Sequence, residues 1–130
     1  MQLGAAGNAA VVQTQIVLRV RKVCFGARES AMRIAAEKNG QSVSDTDTRR
    51  YTRSLIECIQ LADSLDNEFF RSAALQPIIE LCICGGDVDD ARALLRHVKI
   101  TFIREKMIAT FSELSEDCSA KFEGYALAAE

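Results

Sequence analysis

The feature that most constrains the fold is an internal repeat with a period of 33 residues. When the sequence is shifted by 33, many apolar residues fall on apolar residues, and the agreement extends over more than fifty residues of the chain. Identical aligned pairs include Leu61/Leu94, Phe69/Phe102, Arg71/Arg104, Glu80/Glu113 and Leu81/Leu114, and further on Ala93-Leu94 meets Ala126-Leu127. A fainter copy lies upstream, where VLRVRKVCF (17–25) resembles LLRHVKITF (94–102). Self-similarity at about 20–50 residues is typical of stacked supersecondary units.

The apolar spacing within each copy predicts helices. Ala91, Leu94, Leu95 and Val98 stand at i, i+3, i+4 and i+7, which places them on one helix face. We expect an all-α fold in one domain, 1–130, with helices near 8–24, 27–39, 47–65, 68–84, 88–100, 102–115 and 119–129. They group into antiparallel hairpin units near 8–39, 47–84 and 88–115, packed in sequence order and followed by the terminal helix 119–129. The polar stretch 40–47 is predicted to be a loop, and Pro77 is expected to kink or restart its helix.

The clearest helix boundary is the stretch GGDVDDARALL, residues 85–95. Glycine adopts the left-handed conformation at low cost, so Gly85-Gly86 is expected to end one helix. Asp87 is predicted to be the N-cap of the next helix, with its carboxylate accepting from the free amides of the first turn. The central core is predicted to contain Ile78, Ile79, Leu81, Ala91 and Leu94.

The same stretch resembles the junction between the two helices of a tetratricopeptide-type (TPR-like) repeat. The resemblance implies that Ala91 is the small residue at which two helices approach closely. It also implies a right-handed array of stacked helical hairpins over most of the chain, roughly 17 to 130. Domains of this class commonly bind peptides or proteins, and some serve as chaperones or regulatory subunits in secretion systems.

The residues do not suggest an enzyme or a cofactor site. The chain has one histidine, His97, and it lacks a P-loop and the G-x-G-x-x-G, G-x-S-x-G and H-E-x-x-H motifs. Its five cysteines are odd in number and scattered, so we expect reduced thiols, mostly buried, in a cytoplasmic protein. Cys82 and Cys84 with His97 could be imagined as metal ligands, but structural zinc usually needs a second cysteine pair, and core packing is favoured.

Charge is distributed unevenly along the chain. Residues 1–53 carry nine Lys/Arg and four Asp/Glu, whereas residues 54–130 carry seven and fourteen. The plain interpretation is a solvated surface; the sharper one is a basic first half that meets an acidic partner or a second copy of the chain. Partner-binding residues are predicted to be arginines: Arg28, Arg49, Arg50, Arg53, Arg71 and Arg104. Of these, Arg28, Arg71 and Arg104 occupy similar places in the repeat, which also suits a structural role.

The leading functional hypothesis is a non-enzymatic scaffold or adaptor that presents a helical surface to a peptide or protein. A secretion-type chaperone or regulatory subunit and a homo-oligomeric structural module are the alternatives. Self-association is expected because Leu3, Val11 and Val12 face no earlier unit, and because Leu127 lies off the apolar stripe of the last helix. Nucleic acid is not favoured, since the net charge is −2. No membrane span is expected, because the longest uncharged run, 2–18, is too polar.

Overall fold

A computed structural model describes residues 2–37 and 44–115, with side chains from residue 9 onward. Every secondary-structure element in these residues is helical, which confirms the predicted all-α class. The helices are α1 (Gln2–Gly26), α2 (Arg28–Glu37), α3 (Asp45–Asp63), α4 (Glu68–Cys84), α5 (Val88–Leu95) and α6 (Thr101–Thr110), and residues 112–115 form a further helical turn. The terminal helix predicted at 119–129 lies outside the described residues.

The first two helices do not form the hairpin that was predicted over 8–39. A single residue, Ala27, separates them, and helical hydrogen bonding continues across it: the Ala27 amide donates to the Val23 carbonyl at 3.1 Å, and the Ala31 amide to the Ala27 carbonyl at 3.0 Å. Reversing the chain between two helices needs a loop of about two to five residues. Consistent with this, α1 and α2 contact each other little, and α2 packs on α3 and α4.

Side-chain contacts give the relative directions of the helices. Gln13 of α1 lies near Asn67, in the turn after α3, whereas Ser30 at the start of α2 contacts Asp47 in the first turn of α3. The chain from α1 to the start of α2 therefore runs antiparallel to α3. The four residues 64–67 then return the chain into α4, which runs antiparallel to α3. Consequently α1 and α4 are parallel, and the most extensive contacts of α1 are with α4.

Helix α4 is the centre of the molecule. It contacts α1, α2, α3, α5 and α6, and its sequence is apolar on nearly every side, as expected for a helix that neighbours surround. The predicted core residues Ile78, Ile79, Leu81 and Ala91 are buried, and Leu94 is half-buried. α4 also continues through Pro77 without ending there, so the helix does not restart.

Specific caps fix where the helices begin and end. The side chain of Asn67 accepts hydrogen bonds from the amides of Phe69 and Phe70 at 2.8 and 3.1 Å, which starts α4. At its other end, Gly86 has a φ of 79°, as a glycine C-cap motif requires, and the Asp87 amide donates to the Cys82 carbonyl at 2.8 Å. The predicted termination of α4 by glycine is therefore confirmed.

Helix α5 is shorter than the predicted 88–100. The chain turns after Leu95, and the Lys99 amide donates to the hydroxyl of the buried Ser72 on α4 at 3.2 Å. Val98 stays buried in this turn, so the apolar period continues although the helix has ended. The predicted helix 102–115 is likewise divided at Phe111, whose backbone is extended.

Candidate functional site: a basic groove between α1 and α4

The parallel helices α1 and α4 leave a groove between them with a volume of about 540 Å³. We call this the α1–α4 groove. It is lined on one side by Leu18, Arg21, Lys22, Cys24, Phe25 and Arg28, and on the other by Gln76, Pro77, Glu80, Leu81 and Cys84. Pockets of about 300–1,000 Å³ are typical binding sites.

The α1 side of the groove combines apolar and cationic side chains at helical spacing. Leu18, Lys22 and Phe25 stand at i, i+4 and i+7, so they share one face of α1. Leu18 is 52% exposed and Phe25 is 72% exposed, so both offer apolar surface to a ligand. The arrangement suits a ligand with both apolar and anionic groups.

The charge of the groove is mainly positive. Arg21, Lys22 and Arg28 are exposed, and none of them forms an ion pair with a carboxylate of the described residues. The single carboxylate among the lining residues is Glu80, on the α4 side. The two sides therefore differ: the α1 side is basic, and the α4 side carries one acidic group.

Only one of the six arginines predicted to bind a partner lies in this groove, Arg28. Arg49, Arg50 and Arg53 lie together on the exposed face of α3, a set we call the α3 arginine patch. Arg104 is exposed in the first turn of α6. The structure thus brings three of the predicted residues together on α3 and places Arg28 and Arg104 elsewhere.

Arg71 has a structural environment. Its guanidinium donates to the Leu65 carbonyl at 2.6 Å and pairs with Glu68 at 2.9 Å. These contacts tie the start of α4 to the turn before it. The structural role that also suits the recurring arginines therefore fits Arg71, because both terminal nitrogens of its guanidinium are bound.

Sequence reasoning missed Arg21, Lys22, Leu18 and Phe25 as parts of one site. Arg21 and Lys22 are evident in the sequence as basic residues. The signal for a site is that Leu18 and Phe25, at i and i+7, lie on the same helix face as Lys22. The other half of the groove comes from residues 76–84, about fifty positions further along the chain. Helical periodicity does not indicate which distant helix lies opposite.

Two other polar clusters are structural. Asp47 accepts from Ser30 at 2.8 Å, from Arg33 at 2.8 and 3.0 Å and from the Ser44 hydroxyl at 3.2 Å. The bonds from Arg33 and Ser30 hold the pKa of the Asp47 carboxyl well below its usual range, although burial acts in the opposite direction. With so many donors already bound, this carboxylate anchors α2 to the start of α3.

The second cluster joins α3 to the turn before α5. The Tyr51 hydroxyl donates to the Asp87 carboxylate at 2.5 Å. The pKa of the Tyr51 phenol is raised mainly by burial and, to a smaller extent, by this hydrogen bond. Asp87 precedes α5 at the predicted N-cap position, but its side chain makes no capping hydrogen bond to that helix. The predicted capping role of the carboxylate is wrong, because Tyr51 binds it instead.

The thiols are mainly core groups. Cys24, Cys58 and Cys82 are buried, as predicted, Cys84 is half-buried, and Cys118 lies outside the described residues. The sulfurs of Cys24 and Cys58 are 3.6 Å apart, and the pKa of the Cys24 thiol is raised by hydrogen bonding to Cys58 and by burial. Burial raises the pKa of Cys82 to about 12. Cys24 and Cys82 are therefore poor nucleophiles, since only the thiolate reacts.

His97 is exposed just beyond the end of α5, whereas Cys82 is buried beside Tyr51. Across residues 2–37 and 44–115, no group of three or more His, Cys, Asp or Glu side chains is arranged to hold a metal ion.

No described helix is both long and apolar enough to cross a bilayer. The chain matches none of the protein-family models, curated sequences or solved structures with which it was compared.

Proposed function

We propose that this protein is a non-enzymatic interaction module that binds an acidic polypeptide in the α1–α4 groove. The observation that carries the proposal is the pairing of exposed apolar side chains, Leu18 and Phe25, with cations that have no ion-pair partner in the described residues. Exposed apolar surface beside polar residues marks contact sites, and complementary charge selects the partner.

The scaffold function predicted from the sequence is retained, but the proposed binding site is the α1–α4 groove and not the full set of six predicted arginines. Of the predicted arginines, Arg28 belongs to the proposed site, and the α3 arginine patch becomes an alternative surface to be tested. We also propose a TPR-like origin for the array, supported by the 33-residue period, with α1 and α2 departing from hairpin geometry. A reducing, cytoplasmic setting is supported by the free thiols of Cys24, Cys58, Cys82 and Cys84.

The test uses fluorescein-labelled peptides of defined sequence, one built from Glu and Leu and one in which Lys replaces Glu. Fluorescence anisotropy measures their affinity for the full chain at low and moderate salt. We expect the acidic peptide to bind, its affinity to fall with salt as Debye screening increases, and the basic peptide to bind much more weakly. If the acidic peptide binds no better than the basic one, the proposed function is wrong.

Matched variants locate the binding surface. The double variant Lys22→Glu/Arg28→Glu and the control Arg49→Glu/Arg53→Glu change net charge equally, and all four residues are exposed. Each exposed ion pair is worth about 0.2–1 kcal/mol, so reversing two groove charges should weaken binding roughly tenfold. The control should retain most of the affinity. Loss of binding in the control alone would instead assign the site to the α3 arginine patch.

A homo-oligomeric module is the second candidate. Val11 and Val12 on α1 are 53% and 51% exposed, and two adjacent apolar side chains in this state favour a contact between copies. Light scattering of the parent and of Val11→Ser/Val12→Ser at high concentration tests this. Association of the parent that the double variant loses would support it, and a monomeric parent in both low and moderate salt would refute it.

A further inference from the structure

We infer that the occupant of the α1–α4 groove is an amphipathic helix with acidic residues along one edge. This inference rests on the proposed function and specifies its partner. The helix would lie between α1 and α4 and pack against both.

Backbone hydrogen bonding favours a helix over an extended peptide as the occupant of the groove. Every described element is helical, so within 2–37 and 44–115 no sheet edge exists with which an extended strand could pair. A bound strand would leave its backbone amides and carbonyls to water or to side chains, whereas a helix satisfies most of these groups internally. Grooves between two helices accept a third helix through apolar residues at i, i+3, i+4 and i+7.

The dimensions agree with a short helix. The lining residues extend from Leu18 to Arg28 on the α1 side, which corresponds to about 15 Å at 1.5 Å per residue. On α4 they extend from Gln76 to Cys84, or about 12 Å. A helix of about three turns, roughly 11 residues, matches both lengths. Its apolar stripe would contact Leu18 and Phe25.

The charges specify the edges of that helix. The cations Arg21, Lys22 and Arg28 all lie on the α1 side, so carboxylates of the partner belong on the edge that faces α1. Arginine can bind a carboxylate through two parallel hydrogen bonds, which favours ordered contacts along this edge. Glu80 on the α4 side repels carboxylates, so the partner's opposite edge should be neutral or basic.

The decisive experiment compares two sequence isomers. Both 14-residue peptides contain the same numbers of Leu, Glu, Ala and Gln; one places Leu at i, i+3, i+4 and i+7 with Glu on one flank, and the other alternates Leu and Glu. Affinity for the full chain is measured by fluorescence anisotropy, and peptide helicity by circular dichroism with and without protein. We expect the helical isomer to bind at least tenfold more tightly and to gain helicity when bound.

A second measurement tests the charge of the two edges. Glu80→Lys removes the one lining carboxylate and should raise affinity for the helical isomer severalfold, whereas Glu105→Lys, an exposed residue of α6, changes net charge equally and should have little effect. Circular dichroism of each variant confirms that the fold is retained.

The outcomes separate this inference from the proposed function. Equal binding of the two isomers would overturn the helical partner but leave an acidic partner in place. No binding of either isomer would overturn both. If light scattering shows that Lys22→Glu/Arg28→Glu abolishes self-association of the parent chain, the groove holds a second copy, and the inference is wrong.

Discussion

Replacing Gly85 with alanine should destabilise the protein through a clash with Tyr51. The new methyl carbon would lie 2.7 Å from Cζ and from Oη of Tyr51 and 2.9 Å from Cε1. Carbon atoms in contact are normally about 3.5–4.0 Å apart, so the overlap is on the order of 0.8 Å. Tyr51 is only 5% exposed and its hydroxyl is bound to Asp87, so the ring has little room to move away.

The size of the effect follows from two opposing contributions. Overpacking a buried site costs about 1–3 kcal/mol. Gly85 has a φ of −84°, which alanine can adopt, and the loss of chain entropy in the unfolded state returns about 0.4–1 kcal/mol. The net loss is about 1–2 kcal/mol. With a urea m-value of about 1–3 kcal/mol/M, the unfolding midpoint should fall by about 0.3–2 M.

Urea unfolding followed by circular dichroism at 222 nm measures this loss, and a double-mutant cycle tests its cause. In a Tyr51→Leu background the ring atoms are absent, so Gly85→Ala should become neutral or slightly stabilising. Gly86→Ala is the matched control: Gly86 has a φ of 79°, where alanine is strained whatever residue is at 51, so its cost should be the same in both backgrounds. If Gly85→Ala costs as much without the ring as with it, the clash is not the cause.

Because the pKa of Asp47 is lowered in the folded state, its ionised carboxylate stabilises the fold above the ordinary pKa of 3.8, and this stabilisation is lost as the pH falls further. The difference in unfolding free energy between the parent and Asp47→Asn, measured by urea titration, should therefore narrow below pH 3.8. A constant gap would contradict the ionic anchor. Ala91→Leu should overpack the contact between α5 and α4 and cost about 1–3 kcal/mol, whereas the exposed Ala93→Leu should cost little; equal unfolding midpoints would contradict the packing. In a Cys118→Ser background, Cys84 should react first with a thiol reagent and the buried cysteines only after denaturant is added; rapid labelling of all four would contradict their burial.

The sequence predicted the helical class and several helix bounds, but not the arrangement of α1 and α2. The bounds of α4 agree with the prediction because local groups set them: a capping Asn67 at the start and glycine at the end. The end of α5 was misplaced because Val98 keeps the apolar period after the chain has turned. The predicted break between helices 8–24 and 27–39 does not reverse the chain, because the hydrogen bonds continue through Ala27. Helical periodicity does not distinguish a tight turn from a break of one residue.

The near-continuity of α1 and α2 also explains why the α1–α4 groove is available. A helix folded back after Gly26 would pack along α1 and compete for the surface of α1 that contacts a partner. Instead α2 continues beyond α1 to the first turn of α3, where Ser30 and Arg33 bind Asp47. The core of the molecule is completed by α3 and α4, so Leu18 and Phe25 are not needed to cover it and stay exposed. The repeat did not predict that α1 and α2 depart from hairpin geometry. This departure keeps the α1–α4 groove, on which the proposed function depends, open to a partner.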